Sequence, residues 1–191
     1  RCTAANRMIE LRPLQDDDAE RLFAWRREPE VDRWMGGLPP DSRDGHQRWF
    51  EAFRTDPDRA GWIVTRFGKP AGFLQLSGLS GVHRRAQWGW YVGDPEARGR
   101  GAGRAAQALG LDLAFDGLGL QKVWSEVFAD NDVALKAQAA AGFRREGYLR
   151  RHYFKQGEHR DCVLLGILDE EWRAQRDGVR RNLLRSQLIA A

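Results

Sequence analysis

Between Arg98 and Arg104 the chain reads "RGRGAGR", three glycines and three arginines in seven residues. The apolar run "WGWYV" leads into it and the alanine-rich "AAQALGLDLAF" follows. A strand that passes through glycines into a helix builds an anion site. The first turn of a helix presents unpaired N–H groups and a partial positive charge, and glycine lets a ligand approach the backbone closely. At an exposed helix end the dipole contributes only about 0.3–1 kcal/mol, so directed N–H groups and arginines must supply the rest.

Spacing separates this stretch from other glycine-rich loops. It lacks the Gly-Lys-Ser/Thr of a P-loop, and it sits mid-chain rather than after a first strand as a dinucleotide fingerprint would. Taken alone, Arg98-x-x-Gly101-x-Gly103 is a weak signal, since any tight strand-to-helix turn can use glycines.

The elements around it give the loop its setting. "MIELRPL" predicts a first strand, Met8 to Leu14, and "QDDDAERLFAWRREP" a helix with acidic residues at its positive end and a stop at Pro29. Ser42 suits the N-cap of "RDGHQRWFEAF". From Gly61, "GWIVTRF", "KPAGFLQLSGL" and "RAQWGWYVGD" predict an antiparallel meander. Beyond the loop come a helix, the strand "QKVWSEVFAD", the short helix "NDVALKAQAAAGF" and the closing strands "EGYLRRHYFK" and "HRDCVLLGIL". The order is that of an α+β domain around one mixed, mostly antiparallel sheet flanked by helices. Residues 9–172 form this domain, 1–8 are expected to be a leader or disordered N-terminus, and 173–191 a helical tail with Gly178 as a break.

At 191 residues the chain suits one domain. No apolar run reaches membrane-spanning length. Two cysteines, Cys2 and Cys162, without metal-ligand spacing, exclude a disulfide framework, predict no metal site and point to a reducing cytoplasm. The net charge of +4 raises nucleic acid as a partner, but 27 acidic residues are interleaved with 31 basic ones. That pattern reads as a solvated mixed-charge surface. A basic nucleic-acid-binding domain without activity is the alternative of another class, resting on the arginine-rich tail and Arg98–Arg104.

The loop in its setting, followed by a helix, a strand, Asn131 and then Gly142-Phe143, resembles the GNAT family of acyl-CoA-dependent N-acetyltransferases from about Ile9 to Trp172. The resemblance implies the GNAT fold with splayed central strands, and acetyl-CoA as cosubstrate. It implies that Arg98, Gly99, Arg100, Gly101, Ala102 and Gly103 bind the pyrophosphate of coenzyme A. The strand backbone at Tyr91 and Val92 would pair with pantetheine, and Asn131 would contact the pantetheine arm. Asn131 also suits a helix N-cap.

Attack on a thioester requires a neutral amine. At pH 7 deprotonation costs about 4.6 kcal/mol for a lysine-like amine and about 1 kcal/mol for an α-amine. Glu126 in "SEVFADN" is the candidate base, at the position of the base-bearing glutamate of some ribosomal-protein acetyltransferases of the family; a structural salt bridge is the competing role. Where many members carry a tyrosine acid, this chain has Gln138, so the acid has no assigned residue.

For the acceptor, Arg26…Val31…Trp34-Met35, Ser42…His46…Trp49 and Glu146-Gly147 look most like the nucleotide-amino-sugar acetyltransferases of the pseudaminic acid pathway. This implies transfer to the 4-amino group of a UDP-4-amino-4,6-dideoxy sugar. Trp34, Met35 and Trp88 would then supply stacking surface and Arg26 charge for phosphate, although each tryptophan also suits a core. Acetylation of ribosomal-protein N-termini is the runner-up. Tail residues Trp172, Val179, Leu183 and Leu184 would pack on the domain or on a second subunit of a homodimer.

Overall fold

The computed structural model describes residues 8–190; the expected leader lies outside them apart from Met8. Strand β1 (Ile9–Pro13) is followed by helices α1 (Asp18–Arg27), α2 (Pro29–Asp32) and α3 (Arg43–Thr55). The meander β2 (Arg59–Arg66), β3 (Lys69–Ser80) and β4 (Arg85–Val92) leads into α4 (Ala102–Asp112). Then come β5 (Lys122–Phe128), α5 (Asp132–Ala140), β6 (Arg144–Lys155), β7 (Glu158–Leu168) and α6 (Asp169–Arg185). One seven-stranded sheet runs in the order β1-β2-β3-β4-β5-β7-β6. All its ladders are antiparallel except that between β4 and β5.

Local chemistry explains the boundaries. α1 opens on Asp18 and Glu20 and closes on Arg26 and Arg27, opposite in charge to the ends of its dipole. Pro29 then starts α2 at the first helical position, where its missing N–H costs nothing. Ser42 caps α3 as expected, its Oγ accepting from Gly45 N at 3.1 Å.

Each face of the sheet buries a separate cluster. α4 lays Ala102, Ala105, Ala106 and Ala108 on one face, and at Gly110 a Cβ would come within 2.6 Å of Leu74. Small residues therefore bring the helix, and the loop before it, close to the strands. On the other face Leu22 and Trp25 of α1 and Phe50 and Phe53 of α3 cover Ile63 and Phe73. That layer carries Arg26 and His46 to the sheet.

α6 runs unbroken through Gly178 and folds back on its own domain. Trp172 and Leu183 are buried, and Trp172 Nε1 donates to Asp112 Oδ1 at 2.9 Å. Arg180 pairs with Asp112 at 2.7 Å, and Arg173 and Arg176 with Asp116 at 2.9 and 2.5 Å. The tail arginines that suggested nucleic acid are thus largely neutralised within the fold.

Candidate active site

The central strands part. β4 and β5 pair only through Arg85, Ala86 and Gln87 against Lys122, Val123 and Trp124. Beyond that point Tyr91 and Val92 keep their partners Phe73 and Gly72 on β3, and among the described residues no strand pairs with their other edge. A free edge of this kind can take up the amides of an extended ligand.

The glycine–arginine loop leaves the end of this open strand. Gly99 and Gly101 have φ of +71° and +84°, backbone that non-glycine residues avoid. Gly101 caps α4 without a side chain, so the N–H groups of Ala102, Gly103 and Arg104 face out of the first turn. Gly103 sits so close to Trp90 that a Cβ would fall 2.8 Å from the indole. Ala102 is 1% exposed, so only its backbone can serve a ligand. Arg100 and Arg104 are exposed and form no ion pair among the described residues. This donor set fits a pyrophosphate.

Arg98 differs from the expectation of a phosphate ligand. Its Nε donates to Val92 O at 3.1 Å and its Nη2 to Gly93 O at 2.9 Å and Glu28 Oε2 at 2.9 Å. It ties the strand end to α1's C-terminus and holds the loop in place. Asn131 caps α5, its Oδ1 accepting from Ala134 N at 3.1 Å.

A cleft of about 580 Å³ opens where the strands part, on the face covered by α1 and α3. Trp34, Trp49, Phe128 and Tyr153 are among its walls, with Met35 and Asp41. Glu126 lies in it with its side chain 15% exposed. Tyr153 Oη donates to Glu126 Oε2 at 2.6 Å, and His152 Nε2 is 3.6 Å from the same oxygen. Oε1 accepts no bond from the described residues and is free to take a proton. Burial, and then the bond to Glu126, push the Tyr153 phenol well above its ordinary range, so it stays a donor at neutral pH. Gln138 is turned away on the far side of β5, accepting from Ser125 Oγ at 2.6 Å. No acid stands there.

The acceptor residues read from the sequence, Arg26, Trp34, Met35 and Trp88, all line this cleft, in different settings. Trp88 lines the cleft but belongs to the core, 3% exposed and stacked on Phe143 at 4.9 Å. Trp34 is flanked by guanidinium groups, Arg33 at 4.6 Å and Arg160 at 5.2 Å from its ring, which compete for the faces a sugar would stack on. Arg26 Nη2 donates to the carbonyls of Gly37 and Leu38 at 3.3 and 3.1 Å, and Arg27 to that of Pro40 at 2.9 Å. With most of its arginines occupied, the region offers little to a diphosphate. Tyr153 is a site residue that the sequence reading does not include; its place beside Glu126 depends on the pairing of β6 and β5 with β7 between them.

A mixed sheet parted at its centre, a glycine-capped anion loop at the parting and a carboxylate in the adjoining cleft define an acyltransferase that takes its acyl group from a CoA thioester. The acetyltransferase (GNAT) domain family matches residues 8–144, and the chain belongs to that family. It is an acetyl-CoA-dependent N-acetyltransferase. Spermidine N(1)-acetyltransferase of Escherichia coli K12 is 25% identical over 177 residues, 93% of this chain and 95% of that protein. The Vibrio cholerae spermidine N(1)-acetyltransferase is 29% identical over 168 residues, 87% of this chain and 96% of that protein. The crystal structure of the spermidine N-acetyltransferase from Vibrio cholerae with CoA and spermine superposes with a TM-score of 0.83 at 23% identity, covering 87% of this chain and 98% of that one. The names of these relatives give spermidine, and not a nucleotide-linked amino sugar, as their acceptor. Among the described residues no helix is long and apolar enough to cross a membrane, and no cluster of metal-ligating side chains occurs.

Proposed function

We propose that this chain acetylates the primary amine at the end of a slender aliphatic chain, the chemical type to which spermidine belongs. The observation that carries the reading is Glu126, a carboxylate with a free Oε1 at the bottom of an aromatic-walled cleft. Aromatic faces attract an ammonium by about 0.5–2 kcal/mol and give an uncharged methylene chain apolar surface. The spermidine acetyltransferases among its relatives support the same class.

Acetyl-CoA supplies a thioester carbonyl open to attack. Glu126 Oε1 takes the ammonium proton, leaving nitrogen's electron pair free to bond to the carbonyl carbon. Tyr153, bound to Oε2, holds the carboxylate in one orientation. As the C–S bond breaks the nitrogen releases its second proton to water, and the thiolate, of pKa near ~8.5, leaves without an assigned acid and takes a proton from water.

Transfer is direct. Cys162 also lines the cleft, but burial, followed by the charge of Glu126, pushes its thiol up to about 12. A thiol held protonated is a poor nucleophile, so no acyl-cysteine forms.

The test is thiol release from acetyl-CoA with spermidine, a UDP-4-amino-4,6-dideoxy sugar and a ribosomal-protein N-terminal peptide as parallel acceptors. Release with spermidine in excess of the other two is expected. Release with the sugar or the peptide alone would overturn the aliphatic-amine reading.

A further inference from the structure

Lys155 is 4% exposed, and the acetyl-transfer chemistry does not use it. A lysine is almost never buried to this degree unless it is paired. Its Nζ donates to Asp32 Oδ1 at 3.0 Å and to the Gly37 carbonyl at 3.3 Å. These bonds join the end of β6 to the segment between α2 and α3, residues 33–42, which gives Trp34, Met35 and Asp41 to the cleft. The segment has no helix or strand of its own, so its carbonyls take their bonds from side chains elsewhere. Arg160 donates to that of Arg33 at 2.8 Å, Arg26 to those of Gly37 and Leu38, and Arg27 to that of Pro40.

Strand register places Lys155 with Tyr153. They pair with Glu158 and Arg160 of β7 without a slip between them, so both side chains leave the same face of the sheet. Phe154 between them faces the other way and is exposed. Tyr153 meets the same segment as Lys155 does, since a Cβ on Gly36 would fall 2.7 Å from its ring. The backbone is thus pinned at Gly37 by Lys155 and rests at Gly36 on Tyr153, whose hydroxyl reaches Glu126 Oε2 at 2.6 Å.

Stability alone does not call for a lysine here. Apolar residues of similar volume often replace a buried ion pair without loss, whereas directed bonds select one arrangement of the groups they join. Asp32 would keep a partner without Lys155, because Arg26 Nη1 lies 3.7 Å from the same Oδ1. What Lys155 supplies is a link from the strand that carries Tyr153 to the glycines packed against the Tyr153 ring.

We infer that Lys155 is a positioning residue for the catalytic base. Through the Gly36–Gly37 backbone it holds the Tyr153 phenol against Glu126, and the phenol in turn fixes the carboxylate that takes the ammonium proton. This deepens the reading of Glu126 as the base and rests on it.

The experiment is a double-mutant cycle of Lys155→Met and Tyr153→Phe. It reads kcat by thiol release from acetyl-CoA with spermidine or the best acceptor found, and coenzyme A affinity by calorimetry. Methionine is similar in shape to the lysine stem and carries no donor. Each single variant is expected to lower kcat about tenfold, in line with the loss of one bond to a charged group, with coenzyme A affinity unchanged. The losses should not multiply: the double variant is expected to be slower than Tyr153→Phe alone by no more than about twofold. Losses that multiply to about a hundredfold would overturn the proposal, because a general loosening of the fold acts with or without the phenol hydroxyl. Wild-type kcat in Lys155→Met, with Tyr153→Phe still slow, would overturn it too and leave the Glu126 reading intact. Wild-type kcat in Tyr153→Phe would overturn both the proposal and the part of that reading that gives Tyr153 the orientation of Glu126. Lys155→Gln, which keeps a donor in the buried site, replaces Lys155→Met in the cycle should the latter not fold, with the same outcomes deciding.

Discussion

The Tyr153 hydroxyl donates to Glu126 Oε2 across 2.6 Å, joining β6 to β5 over the intervening strand β7. A hydrogen bond to a charged group contributes about 1.5–3 kcal/mol, and here it favours the ionised carboxylate. Tyr153→Phe removes that support and leaves the carboxylate without its fixed orientation. It should lower kcat/KM about tenfold, in line with the loss of one such bond, with coenzyme A affinity unchanged. Steady-state rates for both proteins with one acceptor, beside calorimetry with coenzyme A, check this.

Gly36 sets the position of Tyr153. A Cβ there would fall 2.7 Å from the phenol ring, too close for both to stay in place. Gly36→Ala is expected to lower kcat about tenfold with coenzyme A affinity within a factor of two. Calorimetry alongside steady-state rates separates these effects.

Gly101 combines φ of +84° with a site where a Cβ would lie 2.5 Å from Leu188 Cδ1. The left-handed backbone costs a non-glycine residue about 1–2 kcal/mol. Gly101→Ala should therefore weaken coenzyme A binding, because relaxing the strain turns the N–H groups of α4 away from the phosphates. Adding Leu188→Ala relieves the contact but not the backbone, and should not restore affinity. Titration of both variants with coenzyme A gives the answer.

Asp18 anchors the helix that carries Arg26. It is fully buried, and although burial opposes its charge, bonds from Arg12 at 2.7 and 2.8 Å and from Gln15 N at 2.8 Å hold its carboxyl below the usual range. A depressed acid stabilises the fold above its unfolded pKa of about 3.9, and that contribution is lost as pH falls through the lower folded value. Asp18→Asn should cost about 3 kcal/mol at pH 7, as breaking buried pairs does, and less as the solution is acidified below pH 4. Urea midpoints at the two pH values measure it.

Much of the fold and part of the site were legible in the sequence, because they depend on near neighbours. The glycine–arginine loop, the Ser42 cap and the alanines of α4 act within a few residues of themselves. Arg98 was legible as an arginine at the loop but not as its clamp, since its partners Glu28 and Gly93 meet only when α1 lies against β4. Trp88 and Trp34 look alike in sequence, yet one stacks in the core and the other lies between two arginines. The register slip between Leu149 and Tyr153, with Arg151 at φ +50°, interrupts strand alternation near Tyr153. Such a bulge has no signature in the residue pattern.

The measurement that tests the central claim most directly is the pH dependence of acetyl transfer by the wild-type protein and by Glu126→Gln, with spermidine or the best acceptor found. The account predicts a wild-type kcat/KM that rises with pH, and a variant at least 100-fold slower at neutral pH, within the range for loss of a general base. Coenzyme A affinity is retained in the variant. A variant with the wild-type rate and profile would contradict it and remove Glu126 from the chemistry.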